Sequence, residues 1–174
     1  MRIALVVGHK KSKQGACNRE HKICEWEFNN AVAAEVKQRL PEIDIKIIQR
    51  DSYRGLPEKI NAERPDFVVC MHLNDSDSEA KGCEMLCYIN SDTGYNLANL
   101  FQKAFVQILK NRDRGVKPKS SEDRGGTVLR YTDAPCIIVE PFFINTEFND
   151  ITIENIITCY CEALKELQEV GHTF

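Results

Sequence analysis

Three apolar runs in this chain each end on a side chain that can bind a metal or move a proton. Residues 2–8 run into His9, residues 67–71 run into His72, and residues 136–139 run into Glu140. Continuous apolar runs of this length suit strands buried on both faces of an α/β sheet. In such sheets the chemistry sits in the crevice at the carboxyl ends of the strands. Two histidines and a carboxylate delivered to one rim suggest a zinc hydrolase site. Gly8, directly before His9, lets the backbone turn sharply at the strand end. A carboxylate that closes so apolar a strand is costly to bury unless it is paired, and a nearby metal would provide the pairing. Glu140 would then act as general base on the activated water.

Catalytic zinc takes three protein ligands and one water. Glu20, Glu25 and Glu27 are the carboxylates available for the third position. Glu25 opens a helix, where an acid in the first turn is favoured in any case. Glu27 lies about 200° further around that helix, so the two cannot both face the rim. Spacing alone leaves the choice open. His21, in a loop, and His172, near the C-terminus, read as surface residues. The basic run from Arg112 to Lys117 reads as a solvated loop or as a wall of the substrate groove.

These residues need a scaffold, and its elements are readable. Residues 2–8 form the first strand, and a polar loop follows from Lys10 to about Cys24. An apolar stripe of Trp26, Phe28, Val32, Ala33, Val36 and Leu40 predicts a helix over 25–40, ended by Pro41. Ile43, Ile45 and Ile47 alternate with polar residues and predict a strand over 43–49. A short helix at 56–63 and a strand at 66–72 follow. The polar segment 74–81 is too short for a helical crossover, so the strand at 82–89 is expected to run antiparallel to a neighbour. Leu97, Leu100, Phe101, Ala104, Phe105 and Ile108 predict a long helix over 92–111. A basic, glycine-containing loop spans 111–126, a short strand takes Val128 and Leu129, a core strand spans 136–140, and a helix closes the chain at 150–169. The expected fold is a three-layer α/β/α arrangement around a mostly parallel mixed sheet, with one domain over 1–174.

The chain has 174 residues and a formal net charge of -3, which gives no electrostatic case for binding nucleic acid or an anionic membrane. No apolar stretch approaches a membrane span of about 20 residues. The apolar N-terminus breaks at Gly8-His9-Lys10-Lys11 and lacks a small-residue cleavage site, so it reads as a strand and not a signal peptide. The expectation is synthesis in the cytoplasm and release by another route. None of the eight cysteines forms a Cys-x-x-Cys pair. All eight are expected to be reduced thiols.

The chain resembles the zinc-dependent N-acetylmuramoyl-L-alanine amidases, the type 3 amidases of autolysins and phage endolysins. The matching blocks occur in the family's order. They are Val7-Gly8-His9 with Gly15-Ala16, Glu25 with Asn29 four residues on, Arg50-Asp51, and Met71-His72-Leu73-Asn74. They continue with Gly82-Cys83-Glu84, Arg114-Gly115-Val116-Lys117, Val128-Leu129-Arg130, and Ala134-Pro135 through Val139-Glu140 to Phe143. The resemblance implies zinc on His9, Glu25 and His72, with Glu140 as the catalytic glutamate. It implies peptidoglycan as the substrate, cut at the amide joining N-acetylmuramic acid to L-alanine, and the chain is expected to be a monomer. Asn74 is a candidate donor to the oxyanion, and Arg114, Lys117 and Arg130 are candidate groove residues. Lys10-Lys11 and Pro141-Phe142 depart from the family's usual residues beside the first histidine and the catalytic glutamate. The compact loop after His9 is closer to an endolysin than to a secreted autolysin. A zinc peptidase or another amidohydrolase would use the same chemistry. A catalytically silent cell-wall-binding domain would lack a ligand or the base, whereas this chain retains all four. Glu27 and Glu84 are the next carboxylates to consider as base.

Overall fold

The computed structural model describes residues 1–76 and 79–174. The expected polar segment at 74–81 therefore lies partly outside the described residues. Six strands form one sheet in the order β4-β1-β5-β8-β6-β7. They are β1 (Arg2–Val7), β4 (Asp44–Gln49), β5 (Phe67–Met71), β6 (Cys83–Tyr88), β7 (Asp113–Lys119) and β8 (Cys136–Glu140). A two-residue hairpin, β2 (Cys17–Asn18) with β3 (Ile23–Cys24), stands apart from the sheet. The helices are α1 (Glu25–Arg39), α2 (Leu56–Ala62), α3 (Asp92–Leu109), α4 (Gly126–Tyr131) and α5 (Ile153–Val170).

β4, β1, β5 and β8 run parallel. β6 runs antiparallel to β8, as its short connection predicts, and β7 follows β6 in parallel. The carboxyl ends of β1, β5 and β8 and the amino end of β6 therefore share one rim. β5 and β8 are buried at every position because helices cover both faces. On one face, Ile3, Leu5 and Val7 pack under α1, α3 and α5, with Phe28, Phe101, Phe105 and Tyr160 in that core. On the other, Ala4, Val6, Val68 and Ile138 pack under the short α2 and α4 through Leu56, Ile60, Val128 and Leu129. These two helices cannot cover the whole sheet face, and a cleft remains beside them. Among the described residues, no helix is long and apolar enough to cross a membrane.

Two expected elements differ. The basic loop at 111–126 contains the edge strand β7, where an exposed side permits polar residues and Pro118. Val128 and Leu129 lie in α4, where they bury against β8.

The cysteines also require a correction. Cys17 and Cys24 are joined by a disulfide, while six others are free and buried. The hairpin register places Cys17 directly opposite Cys24, with Cα atoms 4.0 Å apart. That juxtaposition is set by the turn between them and not by any short cysteine motif.

Candidate metal centre and catalytic cleft

His9 follows the end of β1, His72 follows β5, and Glu140 ends β8. β1, β5 and β8 are successive neighbours in the sheet, so the three side chains reach the same rim. Glu25 comes from the first position of α1. Its helix has no capping side chain. Instead, the Glu25 and Trp26 N–H groups donate to the carbonyls of Ala16 and Gln14 at 2.9 Å. The loop after β1 thus supplies the partners that a helix start needs. The Ala16 N–H returns to Glu25 Oε2 at 3.3 Å, and the Leu73 N–H donates to Oε1 at 3.0 Å.

Glu25 is 1% exposed and stands between the two imidazoles. His72 Nδ1 lies 2.7 Å from Oε1, and His9 Nε2 lies 3.0 Å from Oε2. Burial alone would raise the Glu25 carboxyl, but the contacts from His72 and His9 hold it well below the usual carboxylate range. His9 Nε2 is buried and makes no contact with hydrogen-bond geometry, despite its proximity to Oε2. A buried ring nitrogen left without a hydrogen-bond partner is costly, and a cation shared with the carboxylate would satisfy both. One donor atom from each of His9, Glu25 and His72 lies within 4.8 Å of the others. Two imidazoles and a carboxylate are a donor set suited to zinc. Glu20 and Glu27 are exposed and stand outside this cluster.

Two glycines make the close approach possible. A Cβ on Gly8 would stand 2.6 Å from His72 Cε1 and from the Met71 carbonyl oxygen. A Cβ on Gly15, whose φ is +82°, would stand 2.5 Å from Glu25 Oε2.

Glu140 is 8% exposed and sits directly across the β6–β8 ladder from Glu84. Like charges in that position repel. Asn74 bridges them, donating its amide to Glu84 Oε1 at 2.8 Å and Glu140 Oε2 at 3.2 Å. Arg114 Nε donates to the other oxygen of Glu84 at 2.6 Å. Burial would raise Glu84, yet the Arg114 guanidinium and the Asn74 amide lower it. Burial pushes Glu140 up to about 7, with the Glu84 charge adding to the rise and His72 and Arg124 opposing it. One carboxylate is therefore locked as an anion while its neighbour holds a proton more readily.

The expected groove residues fall in different places. Asn74 spends its amide on the two carboxylates and is not free to meet an oxyanion. Arg114 buttresses Glu84, and its Cζ lies 5.1 Å from the Phe143 ring centroid. Arg130 stacks against Tyr88 and Tyr131, away from the metal cluster. Neither Arg114, Lys117 nor Arg130 lines the main cleft. That cleft has a volume of about 580 Å³ and is lined by His9, His72 and Glu140, with Arg50, Lys119 and Arg124 as its cations. Glu84 was legible only as a fallback base. The usable signal was its position as the lone acid in the apolar strand Cys83–Tyr88, the same signal that marks Glu140. His21 and His172 are exposed.

A family model described as N-acetylmuramoyl-L-alanine amidase matches residues 3–155. No curated protein matches the chain. Among solved structures, the fold is similar to an N-acetylmuramoyl-L-alanine amidase from Clostridium difficile 630. The two are 21% identical with a TM-score of 0.83, over 97% of this chain and 96% of that one. It is similar to the catalytic domain of CwlV, an N-acetylmuramoyl-L-alanine amidase from Bacillus (Paenibacillus) polymyxa var. colistinus. There the identity is 20% and the TM-score 0.81, over 97% and 98% of the two chains. The catalytic domain of the CD27L endolysin, which targets Clostridia difficile, is 21% identical with a TM-score of 0.78, over 95% and 97%.

Proposed function

This chain belongs to the N-acetylmuramoyl-L-alanine amidase family, and from that premise we propose that it is a zinc-dependent hydrolase of the amide between N-acetylmuramic acid and L-alanine in peptidoglycan. In this reading residues 1–174 act as one catalytic domain, and release to the cell wall precedes action. The observation that supports it best is a single cleft lined by His9, His72 and Glu140, with the Glu25 carboxylate between the two histidines.

His9, Glu25 and His72 would hold the zinc. When bound, zinc supplies Lewis acidity toward a carbonyl oxygen and toward water. Glu140 takes a proton from the attacking water and returns it to the leaving L-alanine nitrogen. In the metal-free protein burial raises its proton affinity above that of an ordinary carboxyl, the direction an acid–base group needs near neutral pH. Asn74 positions Glu140 through the hydrogen bonds that its amide donates to Glu140 and Glu84. Arg114 holds Glu84 ionised, so that Asn74 has a fixed acceptor on its other side.

The test is mass spectrometry of peptidoglycan digested by the zinc-loaded protein. The expected products are stem peptides with a free L-alanine amino group and glycan with an unsubstituted lactyl carboxyl group. Cleavage within the stem peptide would instead identify a peptidase.

A further inference from the structure

We propose that Arg50 and Arg124 form a subsite for a free carboxylate on the stem peptide. This rests on the amidase reading and extends it to the part of the substrate beyond the scissile bond. Arg50 follows β4 at one end of the sheet, and Arg124 belongs to the loop between β7 and α4. The two approach the cleft from different sides, and both line it together with His9, His72 and Glu140. Their charges reach its floor. Arg124 acts electrostatically on Glu140, and Arg50 acts on Cys70, which also lines the cleft.

The cations near this site divide into two kinds. Arg114 is committed to Glu84 at 2.6 Å, and Arg130 lies over two tyrosine rings. Among the described residues, the cleft cations Arg50, Arg124 and Lys119 have no carboxylate within 4.0 Å, and of these only the two arginines carry a planar fork of donors. Arg50 is half-buried, and its Cζ lies 5.8 Å from the ring centroid of Tyr53, another cleft residue. A stacked guanidinium keeps its planar fork of donors oriented, which suits bidentate recognition of a carboxylate. Of the acids lining the same cleft, Asp123 accepts the Ser120 N–H at 2.7 Å, which folds its carboxylate back onto its own loop. Glu122 is exposed on that loop. The stem peptide leaving with L-alanine carries an acidic second residue whose carboxylate is free in some cell walls and amidated in others. The stem also carries a C-terminal carboxylate. Either would meet these two arginines as an anion, whereas a neutral amide offers them nothing of equal strength.

Zinc-loaded protein should be assayed on synthetic muramoyl peptides in three forms: all carboxylates free, the second residue amidated, and the C-terminus amidated. Amidation at the recognised position should lower kcat/KM by about 10- to 100-fold, the usual worth of a hydrogen bond to a charged group. Whichever amidation produces the loss identifies the carboxylate. Arg50→Gln and Arg124→Gln should each shrink that preference severalfold without changing zinc content. Calorimetric titration of the free stem peptide into the zinc-loaded protein gives a readout independent of cleavage, and both substitutions should weaken binding. Equal kcat/KM on all three substrates, with peptide affinity unchanged by both substitutions, would overturn the subsite. Arginine-dependent peptide binding without any cleavage would instead keep the subsite and refute the amidase reading.

Discussion

Gly15→Ala tests the site's construction through one methyl group. Two costs follow from the substitution. The first is backbone strain, because φ at Gly15 is +82°. A left-handed conformation costs an L-residue roughly 1–2 kcal/mol. The second is local. The new Cβ would lie 2.5 Å from Glu25 Oε2 and 2.7 Å from His9 Nε2, whereas ordinary contact begins at 3.4 Å. Relief requires displacements of 3.4 − 2.5 = 0.9 Å and 3.4 − 2.7 = 0.7 Å. Metal–ligand distances tolerate only about ±0.2 Å. Two of the three proposed ligands would move beyond that tolerance, so zinc affinity should fall by about 100-fold or more. Gly115→Ala is the control. Its φ is +75°, and a Cβ there meets nothing within 4 Å. It should show the strain cost alone. In urea unfolding of the metal-free protein Gly115→Ala should lose about 1–2 kcal/mol, and Gly15→Ala should lose more, because its contact with Glu25 and His9 adds to the strain. Competition with a chromogenic chelator should separate them, with Gly15→Ala alone losing zinc. Equal zinc affinity in the two variants would refute the assignment of His9 and Glu25 as ligands.

Glu140→Gln should retain about one zinc per chain while turnover falls roughly 10²–10⁴-fold, since it removes the proton acceptor and leaves the proposed ligands intact. His72→Ala should lose zinc and activity together, and with them the zinc-dependent rise in Tm that Glu140→Gln retains. Thiol titration of denatured, unreduced protein should count six thiols, rising to eight after a dithiol reductant, because Cys17 and Cys24 are bonded. In the metal-free protein the folded Glu140 carboxyl sits near 7, against 4.5 when unperturbed. The folded state therefore binds the proton more tightly than the unfolded state. Stability from this group is fully present below about pH 4.5 and is lost as pH rises to about 7, by at most about 3 kcal/mol. Denaturant unfolding across that interval should show the decline in the wild-type protein, and Glu140→Gln should lack this component.

The rim was legible because β1, β5 and β8 are covered on both faces and so read as unbroken apolar runs. Their polar terminators, His9, His72 and Glu140, stand out against that background. Glu25 was harder to distinguish. Its neighbours Glu20 and Glu27 have the same chemistry, and only the helix start and the hairpin that returns the chain to Ala16 place one of them between two imidazoles. The Glu84–Asn74–Glu140 arrangement depends on the β6–β8 register, which pairs residues 56 positions apart. No local pattern encodes that pairing, so Asn74 read as an open donor when its amide was already committed. β7 was missed because Gly115, Pro118 and alternating charges resemble a loop until one side of the strand has a partner. The disulfide was missed for a related reason: a two-residue hairpin carries too little hydrophobic pattern to announce its register.

The outermost strands bear on how molecules of this protein meet one another. β7 ends the sheet with Lys117, Pro118 and Lys119, and β4 ends it on the other side with Asp44 and Lys46. An exposed strand is a template on which a second chain can add itself. Pro118 has no N–H to offer such a chain, and the flanking lysines oppose close approach by a copy of themselves. On β4, the Asp44 carboxylate is occupied by Arg2 at 2.7 Å and Lys46 at 3.2 Å, which keeps charge at that border. Each margin of the sheet thus carries features that resist ribbon-like growth, even where many copies accumulate before any substrate is met.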